Sequence, residues 1–315
     1  MDVVALGELL IDFTCRSVDA DGYPTMAAHP GGAPANFLSA LARYGADTAF
    51  IGKVGDDSFG RMLNDTLCKA HIRTDGLIKT ADTFTTLAFV TLDSRGDREF
   101  SFARKPGADT QLCVDDMDLS LIDQTKVFHF GTLSLTDEPS RSATQYAVTY
   151  ARKRGKLISF DPNLRKPLWC SEEAAREQIL WGLHMADVVK ISDEEVDFLW
   201  QCSARDGAEK ILNELGAKLV FVTCGANGCW YANARACGHV DSLPNISVYD
   251  TTGAGDIFGG SAIWKLLSIG KSPEILSDEE MRSISRFACV AAGLSTTKPG
   301  GISSVPDLKD ITALL

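Results

Sequence analysis

The residues in this chain that most suggest chemistry form the heptad Asp250–Asp256, which reads Asp-Thr-Thr-Gly-Ala-Gly-Asp. The apolar stretch that follows, residues 257–267, predicts a helix. Small residues at a helix start leave backbone N–H groups bare, and these groups bind anions with help from the helix dipole. A carboxylate at Asp256 opposes phosphate binding unless it has a chemical role, such as accepting a proton from a hydroxyl that attacks phosphorus. The alternative is a plain helix start, because the dipole favours an Asp in the first turn even without a ligand.

The elements that must position this heptad alternate between strands and helices along the chain. Apolar runs predict strands at Val3–Leu10, Thr48–Val54, Val127–Gly131, Lys156–Asp161, Asp187–Ile191 and Lys218–Thr223. Periodic segments predict helices starting after Asn36 and at Ser58–Cys68, Pro139–Arg154, Glu172–Met185 and Ala204–Leu215. Strands spaced by helices of this length imply right-handed crossovers and a mostly parallel sheet covered on both faces. We therefore predict an α/β fold and a single domain over residues 1–315.

Polar or glycine-rich clusters directly follow the predicted strands. They are Asp12, Gly31-Gly32, Gly131, Asp161–Arg165, Ser192–Glu195 and Thr223–Gly225. In open α/β sheets, ligands bind outside the carboxyl ends of the strands. The clusters therefore predict one active site along that edge of the sheet, which we call the rim.

A β-rich insertion interrupts the alternation. Residues 85–93 and Arg98–Ala103 predict two strands, and Ser94–Asp97 between them is typical of a hairpin turn. Residues 14–30 show no clear period and are predicted to be irregular. An inserted hairpin of this kind often serves as a lid over a site.

Composition and charge exclude several classes of function. The formal net charge is −11 and no long Lys/Arg run is present, so neither nucleic acid nor an anionic membrane surface is expected as the main partner. A polyphosphate ligand stays compatible with an acidic chain, because backbone N–H groups and magnesium can bind it. No uncharged run approaches about 20 residues, and the N-terminus lacks the basic region of a signal peptide. Nine cysteines without a Cys-x-x-Cys pair are typical of reduced thiols, which predicts a cytoplasmic enzyme.

Two motifs in this order, Gly31-Gly32-Ala33-Pro34-Ala35-Asn36 and Asp250–Asp256, resemble the signatures of the ribokinase-like (PfkB) carbohydrate kinases. Within that family, Asp161–Arg165 and Pro106–Asp109 are most similar to the fructokinases. The resemblance covers essentially the whole chain. It implies a Rossmann-like three-layer α/β sandwich with a small β-sheet lid inserted from about 14–30 and 84–104, and a homodimer formed through that lid.

The resemblance also implies roles at the reacting end of the site. Asp256 would be the base, and Gly253, Ala254 and Gly255 would form an anion hole for the moving phosphoryl group. Arg165 would neutralise phosphate charge as a bidentate donor. The sugar would be held by Asp12, Gly31, Gly32, Asn36, Phe102, Arg104 and Asp256. Asn36 also suits a helix N-cap, and Arg104 also suits an exposed hairpin charge.

Nucleotide and metal sites follow from the same resemblance. ATP would contact Lys190, Ser192, Thr223, Gly225, Gly228, Gly255, Ala288 and Ala292. Mg²⁺ would be bound through water by Glu195, although Ser192 stands where relatives often have Asn. A candidate K⁺ site would involve Asp250, Thr252, Ser295, Lys298, Gly300 and Ser304.

The predicted reaction is transfer of the γ-phosphate of ATP to a primary hydroxyl, with fructose giving fructose 6-phosphate as the expected case. The same fold could instead act on ribose, a nucleoside, 2-keto-3-deoxygluconate or a phosphosugar. Acidic substrates call for clustered cations, and Arg98, Arg104 and Lys105 are the local candidates. A non-catalytic sugar or nucleotide sensor is a further alternative, but it has no need of a base at Asp256. An NAD-binding dehydrogenase is disfavoured, because no Gly-x-Gly-x-x-Gly follows the first strand.

Overall fold

The computed structural model describes residues 1–92 and 98–315, with side chains described for residues 1–91 and 101–315. Its core is a nine-stranded sheet in the order β13-β12-β11-β10-β9-β8-β1-β4-β5. These strands are β1 (Val3–Leu6), β4 (Thr48–Gly55), β5 (Ile72–Thr80), β8 (Val127–Gly131), β9 (Leu157–Asp161), β10 (Val188–Ser192), β11 (Leu219–Thr223), β12 (Cys229–Asn233) and β13 (Cys237–Val240). All neighbours from β11 to β5 are parallel, and β12 and β13 add an antiparallel edge.

Helices cover both faces of this sheet. They are α1 (Ala33–Arg43), α2 (Ser58–Lys69), α3 (Ser120–Gln124), α4 (Ser140–Lys153), α5 (Glu172–Met185), α6 (Asp193–Trp200), α7 (Ala204–Leu215), α8 (Ala254–Ile269), α9 (Asp278–Ser295) and α10 (Leu308–Thr312). Helices α1, α2, α8 and α9 share one core cluster with Val3 and Ala5 of β1. Helices α3 to α7 share another with Val4 and Leu6. Alternate residues of one strand thus enter opposite cores, which confirms the predicted three-layer α/β fold.

A second sheet of four strands stands over the rim of the first. Its order is β3-β2-β6-β7, with β2 (Leu10–Val18), β3 (Pro24–Gly31), β6 (Leu87–Leu92) and β7 (Arg98–Ala103). We call this second sheet the lid. The predicted hairpin turn at Ser94–Asp97 lies outside the described residues.

Three local predictions were wrong. Residues 14–30 are not irregular, because they belong to the antiparallel pair β2 and β3, which carries a bulge between Cys15 and Ser17. Val3–Leu10 is not one strand, since β1 ends at Leu6 and the chain enters the lid at Leu10. Helix α1 begins at Ala33 rather than after Asn36, with Pro34 in its first turn, where its missing N–H has no helical partner to lose.

Candidate active site

A cavity of about 780 Å³ lies between the rim and the lid. The lid contributes Leu10, Asp12, Thr14, Cys15, Arg16, His29, Pro30, Val90 and Phe102. The rim contributes Glu8, Asn36, Asn163, Arg165, Lys190, Ser192, Glu195, the 249–253 segment, Gly255, Asp256 and residues 299–301, among others. Groups more than 200 residues apart in sequence therefore face one space, as the rim rule predicts.

The start of α8 is packed too closely for side chains on its glycines. Gly253 adopts a φ of 77°, and a Cβ there would lie 2.8 Å from the Cα of Gly301. A Cβ on Gly255 would lie 2.9 Å from Nζ of Lys190. The N–H of Ala254 donates to the carbonyl of Thr251 at 3.2 Å, which closes the turn before the helix. The first turn of α8 thus presents bare backbone beside a lysine ammonium, which suits an anion.

Asp256 lies in that first turn and is partly buried. Its Oδ2 accepts a hydrogen bond from Nδ2 of Asn36 at 2.8 Å. Burial raises the pKa of Asp256, while the Asn36 donor and the charges of Lys190 and Arg165 partly offset that rise. A carboxylate with a raised pKa is a better proton acceptor than a solvated one, provided that it stays ionised.

Asp12 sits on the lid side of the cavity. Burial raises its pKa to about 6, with Arg165 lowering it and the charges of Asp256 and Asp250 raising it. Gly31 pairs with Leu10 across β2 and β3, and a Cβ on Gly31 would lie 2.1 Å from Oδ2 of Asp12. Glycine at this position therefore leaves the room that the Asp12 carboxylate occupies.

The loop before α1 packs tightly against the end of the first strand. Gly32 has a φ of 124°, and a Cβ there would lie 2.4 Å from the carbonyl oxygen of Glu8. Oε1 of Glu8 accepts the N–H of Ala33 at 2.8 Å. Glu8 is 2% exposed and lines the cavity, and burial raises its pKa to about 7. Sequence reasoning missed Glu8, although a charged residue in a buried apolar run was the signal that could have found it.

Phe102 and Arg104, two predicted sugar contacts on the lid, lie in different environments in the structure. Phe102 lines the cavity, but Arg104 is buried and directed away from it. The Arg104 guanidinium pairs with Asp109 at 2.8 Å and donates to Oγ1 of Thr136 and to the carbonyl of Leu133. Arg104 is thus not among the residues that line the cavity, and its donors are engaged at the root of the lid, so its predicted contact with the sugar stays a prediction.

Lys190, in the middle of β10, and Asp161, the last residue of β9, form an ion pair of 3.1 Å. Burial raises the pKa of Asp161 to about 7, and the neighbouring Lys190 opposes that rise. Burial alone would lower the pKa of Lys190, but the carboxylates of Asp161, Glu195 and Asp256 raise it instead. Lys190 thus stays cationic beside the anion site at α8.

Glu195 and Ser192 form a capping box at the start of α6. The two oxygens of Glu195 accept the N–H groups of Leu164, at 2.7 Å, and Ser192, at 2.8 Å. Each oxygen keeps a second lone pair, and Glu195 lines the cavity. Within the described part of the chain, no group of three or more His, Cys, Asp or Glu side chains could hold a metal directly. This donor set suits a Mg²⁺ ion that is bound mainly by phosphate and water.

The residues predicted for the nucleotide divide into two groups. Lys190, Ser192 and Gly255 line the cavity, whereas Thr223, Gly225, Gly228, Ala288 and Ala292 lie beyond it. Ala288 is fully buried in the apolar core that α9 shares with the sheet, and its predicted contact with the nucleotide stays a prediction. Small residues there serve close helix packing. Gly228 has a φ of 88°, and a Cβ there would lie 2.1 Å from the carbonyl oxygen of Val240. Close packing against β13 is therefore a sufficient reason for a glycine at this position.

The candidate K⁺ residues lie on two loops that Asp250 ties together. Its Oδ1 accepts the N–H of Thr252 at 2.9 Å, and its Oδ2 accepts the N–H of Gly300 at 3.0 Å. Ser295 and Ser304 are buried and donate their hydroxyls to the carbonyls of Ala292 and Gly301. Lys298 is exposed. The loops are thus ordered by backbone contacts, as a site of carbonyl ligands would need.

The structure also brings cations to the cavity that the sequence did not assign to it. Arg16 sits at the bulge of β2, and its guanidinium donates to Nε2 of His29 at 2.8 Å. Lys166 enters from the rim, next to the predicted Arg165. Lys105 is exposed and does not line the cavity, and the side chain of Arg98 lies outside the described residues. A bulge re-aims a side chain without any signature in the sequence, so Arg16 could not have been found by periodicity.

Comparison with known proteins places this geometry in context. The pattern of the pfkB family carbohydrate kinases matches residues 1–308. A relative from Arabidopsis thaliana, described as probable fructokinase-3, is 42% identical over 316 residues, covering 99% of this chain and 90% of that protein. The structure of a fructokinase from Xylella fastidiosa with bound ATP superimposes with a TM-score of 0.91 at 31% identity, covering 99% and 97% of the two chains. A fructokinase from Vibrio cholerae O395 in a fructose, ADP and calcium ion bound form gives a TM-score of 0.87 at 31% identity, covering 100% and 99%.

Proposed function

This chain belongs to the pfkB family of carbohydrate kinases, and we propose that it transfers the γ-phosphoryl group of ATP to the primary hydroxyl of fructose. The product is fructose 6-phosphate, and ADP is released. One observation carries the proposal: Asp256 stands at the start of α8, facing both the sugar-side loop at 31–36 and the anion site of the helix. A related structure with fructose and ADP supports the choice of substrate.

Asp256 acts as the base in this reaction. The sugar hydroxyl oxygen forms a bond to the γ-phosphorus, the bond from that phosphorus to the bridging oxygen of ATP breaks, and the hydroxyl proton passes to the Asp256 carboxylate. The transition state of phosphoryl transfer is loose, so the proton leaves late and a carboxylate is a sufficient acceptor. Charge on the moving group is stabilised by the backbone at the start of α8 and by the ammonium of Lys190.

The sugar is held between the lid and the rim. Asp12, when ionised, accepts hydrogen bonds from sugar hydroxyls. The bare backbone of Gly32 lets the ring approach closely, Gly31 leaves room for the Asp12 carboxylate, and Phe102 covers the ring from the lid. Arg165 lines the cavity from the rim and would pair with phosphate charge.

ATP binding involves one divalent cation and a pair of ordered loops. Mg²⁺ supplies neutralisation of the β- and γ-phosphate charge, and Glu195 would hold one of its waters. Backbone carbonyls of the loops around Asp250 and Gly300 would hold K⁺ and keep those loops in place. Thr223, Gly225, Gly228 and Ala292 stay candidates for the adenosine end of ATP.

A second candidate substrate is an acidic sugar, such as 2-keto-3-deoxygluconate or a phosphosugar. Arg16, Arg165 and Lys166 all line the cavity and could pair with a carboxylate or phosphate. Asp12 faces the same space and repels such an anion, so the neutral sugar is favoured.

A coupled ADP-release assay over a panel of sugars, with and without K⁺, separates these candidates. We expect the highest kcat/KM with fructose and a clear stimulation by K⁺. If an acidic sugar were turned over with a higher kcat/KM than fructose, the second candidate would become the proposed substrate. Absence of ADP release with every sugar would favour a sensor.

Assembly and location follow as further parts of the proposal. Val18 and Tyr23 on the lid and Phe84 at its root are 61%, 70% and 80% exposed, which supports a homodimer formed through the lid. In the described part of the chain, no helix is long and apolar enough to cross a bilayer. All nine cysteines are free thiols, which supports a cytoplasmic location.

A further inference from the structure

Asn36 lies in the first helical turns of α1, at the wall of the cavity, and touches the proposed base. Its side chain is 4% exposed, and its Nδ2 donates to Oδ2 of Asp256 at 2.8 Å across 220 residues of sequence. An ionised carboxylate can only accept hydrogen bonds, so the amide NH₂ must be the end that faces Asp256. This contact joins the start of α1 to the start of α8.

Two glycines hold the Asn36 amide in that orientation. A Cβ on Gly301 would lie 2.1 Å from Oδ1 of Asn36, and a Cβ on Gly253 would lie 3.2 Å from its Nδ2. Asp250 fixes the loop that carries Gly301, because its Oδ2 accepts the neighbouring N–H of Gly300. The amide is therefore enclosed by backbone on both sides and has little room to turn toward a ligand.

This arrangement determines how Asp256 can work. The bond from Asn36 takes one of the two lone pairs of Oδ2 and restricts rotation of the Asp256 carboxylate, so Oδ1 is the less engaged acceptor for a substrate hydroxyl. A base must meet its proton within hydrogen-bond reach and in the right direction, and small misplacements cost large factors in rate. We propose that Asn36 is a positioning residue, which aims Oδ1 of Asp256 at the sugar hydroxyl and keeps the carboxylate ionised. This inference rests on the proposed role of Asp256 and assigns Asn36 a task other than holding sugar.

The Asn36 contact should also shape the titration of Asp256. Burial raises the pKa of Asp256, and the Asn36 donor is the largest of the effects that lower it. The other charged groups that face it come from five elements: Lys190, Arg165, Glu195, Asp161 and Asp12. Removing the Asn36 donor leaves these charges in place and takes away one stabiliser of the anion, so the pKa of Asp256 should rise.

The test compares Asn36→Ala and Asn36→Leu with a control, Ser39→Ala. Ser39 is buried on the same helix, and its hydroxyl donates to the backbone carbonyl of Asn36 rather than to Asp256. Carbon-13 NMR of labelled aspartate carboxyls, with Asp256 assigned from an Asp256→Asn spectrum, gives its pKa without any substrate. Steady-state kinetics with fructose and ATP give kcat, KM and their pH profiles.

We expect both Asn36 variants to raise the pKa of Asp256 and to shift the acid limb of kcat to higher pH. The kcat of Asn36→Ala should fall about 100-fold with the fructose KM changed less than about threefold, and Ser39→Ala should move neither the pKa nor the acid limb. A raised fructose KM with an unmoved Asp256 pKa would overturn the inference and make Asn36 a sugar ligand. If the wild type turns over no sugar, the proposed function fails, and the NMR titration still decides the Asn36 contact. If Asn36→Ala does not fold, Asn36→Leu, which keeps about the same volume and lacks a donor, decides the same point.

Discussion

The rim and the lid both line the active-site cavity, but they hold their side chains by different means. At the rim, Asp256 is bonded to Asn36, Lys190 is paired with Asp161, and Glu195 accepts two backbone N–H groups. On the lid, Arg16 is exposed and its partner His29 belongs to the same small sheet. The groups proposed to perform the chemistry thus sit where strands and helix ends fix them, and the groups proposed to cover the substrate sit on a sheet with less support. This contrast fits a site in which the rim must hold its side chains in fixed positions and the lid must move to admit substrate.

The largest effect should come from the rim, at Asp256. Asp256→Asn removes the proton acceptor and keeps the size of the side chain, so kcat should fall by about 10³-fold or more while both substrates still bind. Calorimetric binding of fructose and a non-hydrolysable ATP analogue provides the control for folding. If turnover stayed within tenfold of the wild type, the rim would not supply the base.

The next effect should appear where the lid joins the α/β domain. Arg104→Met leaves the buried Asp109 carboxylate without its cation, which should lower the free energy of unfolding by about 3–5 kcal/mol. Urea unfolding measures that loss, and Arg104→Met/Asp109→Leu should recover much of it. A variant as stable as the wild type would show that the root of the lid does not depend on this pair.

On the lid itself, Asp12→Asn should weaken sugar binding and leave ATP binding nearly unchanged. Losing a charged hydrogen-bond acceptor costs about 1.5–3 kcal/mol, so the fructose KM should rise about 10- to 150-fold.

The pKa of Asp12 is raised from 3.8 to about 6, so the folded protein binds the extra proton between these values and stability falls as pH rises through them. Asp12→Asn removes that cost, and its melting temperature should exceed that of the wild type at pH 7 but not at pH 4. Equal melting curves at both values would contradict the raised pKa.

The smallest effect should come from Arg16. Its guanidinium is exposed, so Arg16→Ala should change the fructose KM by less than about threefold. A much larger change with an acidic sugar than with fructose would show that the lid selects for charge, and would favour the second candidate substrate.

The sequence predicted the rim better than the lid for a physical reason. Buried parallel strands are continuous apolar runs, and the polar residues that end them mark the edge of the sheet, as Asp161 and Ser192 do. The lid strands have one face toward a polar cavity and carry a bulge, so residues 14–30 show no period although they are β-structure. The order of strands and helices could be predicted from the hydrophobic pattern of the sequence. The pairing of β2 with β3 and β6 could be seen only in the structure.

Individual contacts were the part that pattern could not supply. Arg104 is typical of an exposed hairpin charge, and only the structure shows that Asp109 and the Leu133 carbonyl take its donors. Ala288 suits an adenine pocket by size alone, and the same property lets α9 pack closely against the sheet. Asn36 matched a sugar-binding motif, yet in the structure its amide bonds to Asp256. Residue type restricts what a side chain can do, and packing decides which of those uses is realised.

The most direct test of the account is the product itself. The protein is incubated with ATP, Mg²⁺, K⁺ and carbon-13-labelled fructose, and phosphorus and carbon NMR identify where the phosphoryl group goes. We predict phosphate on the oxygen of C6 with one ADP formed for each sugar phosphorylated, and no such product with Asp256→Asn. Phosphate on another oxygen, ATP breakdown without sugar phosphate, or an equally active Asp256→Asn would contradict the account.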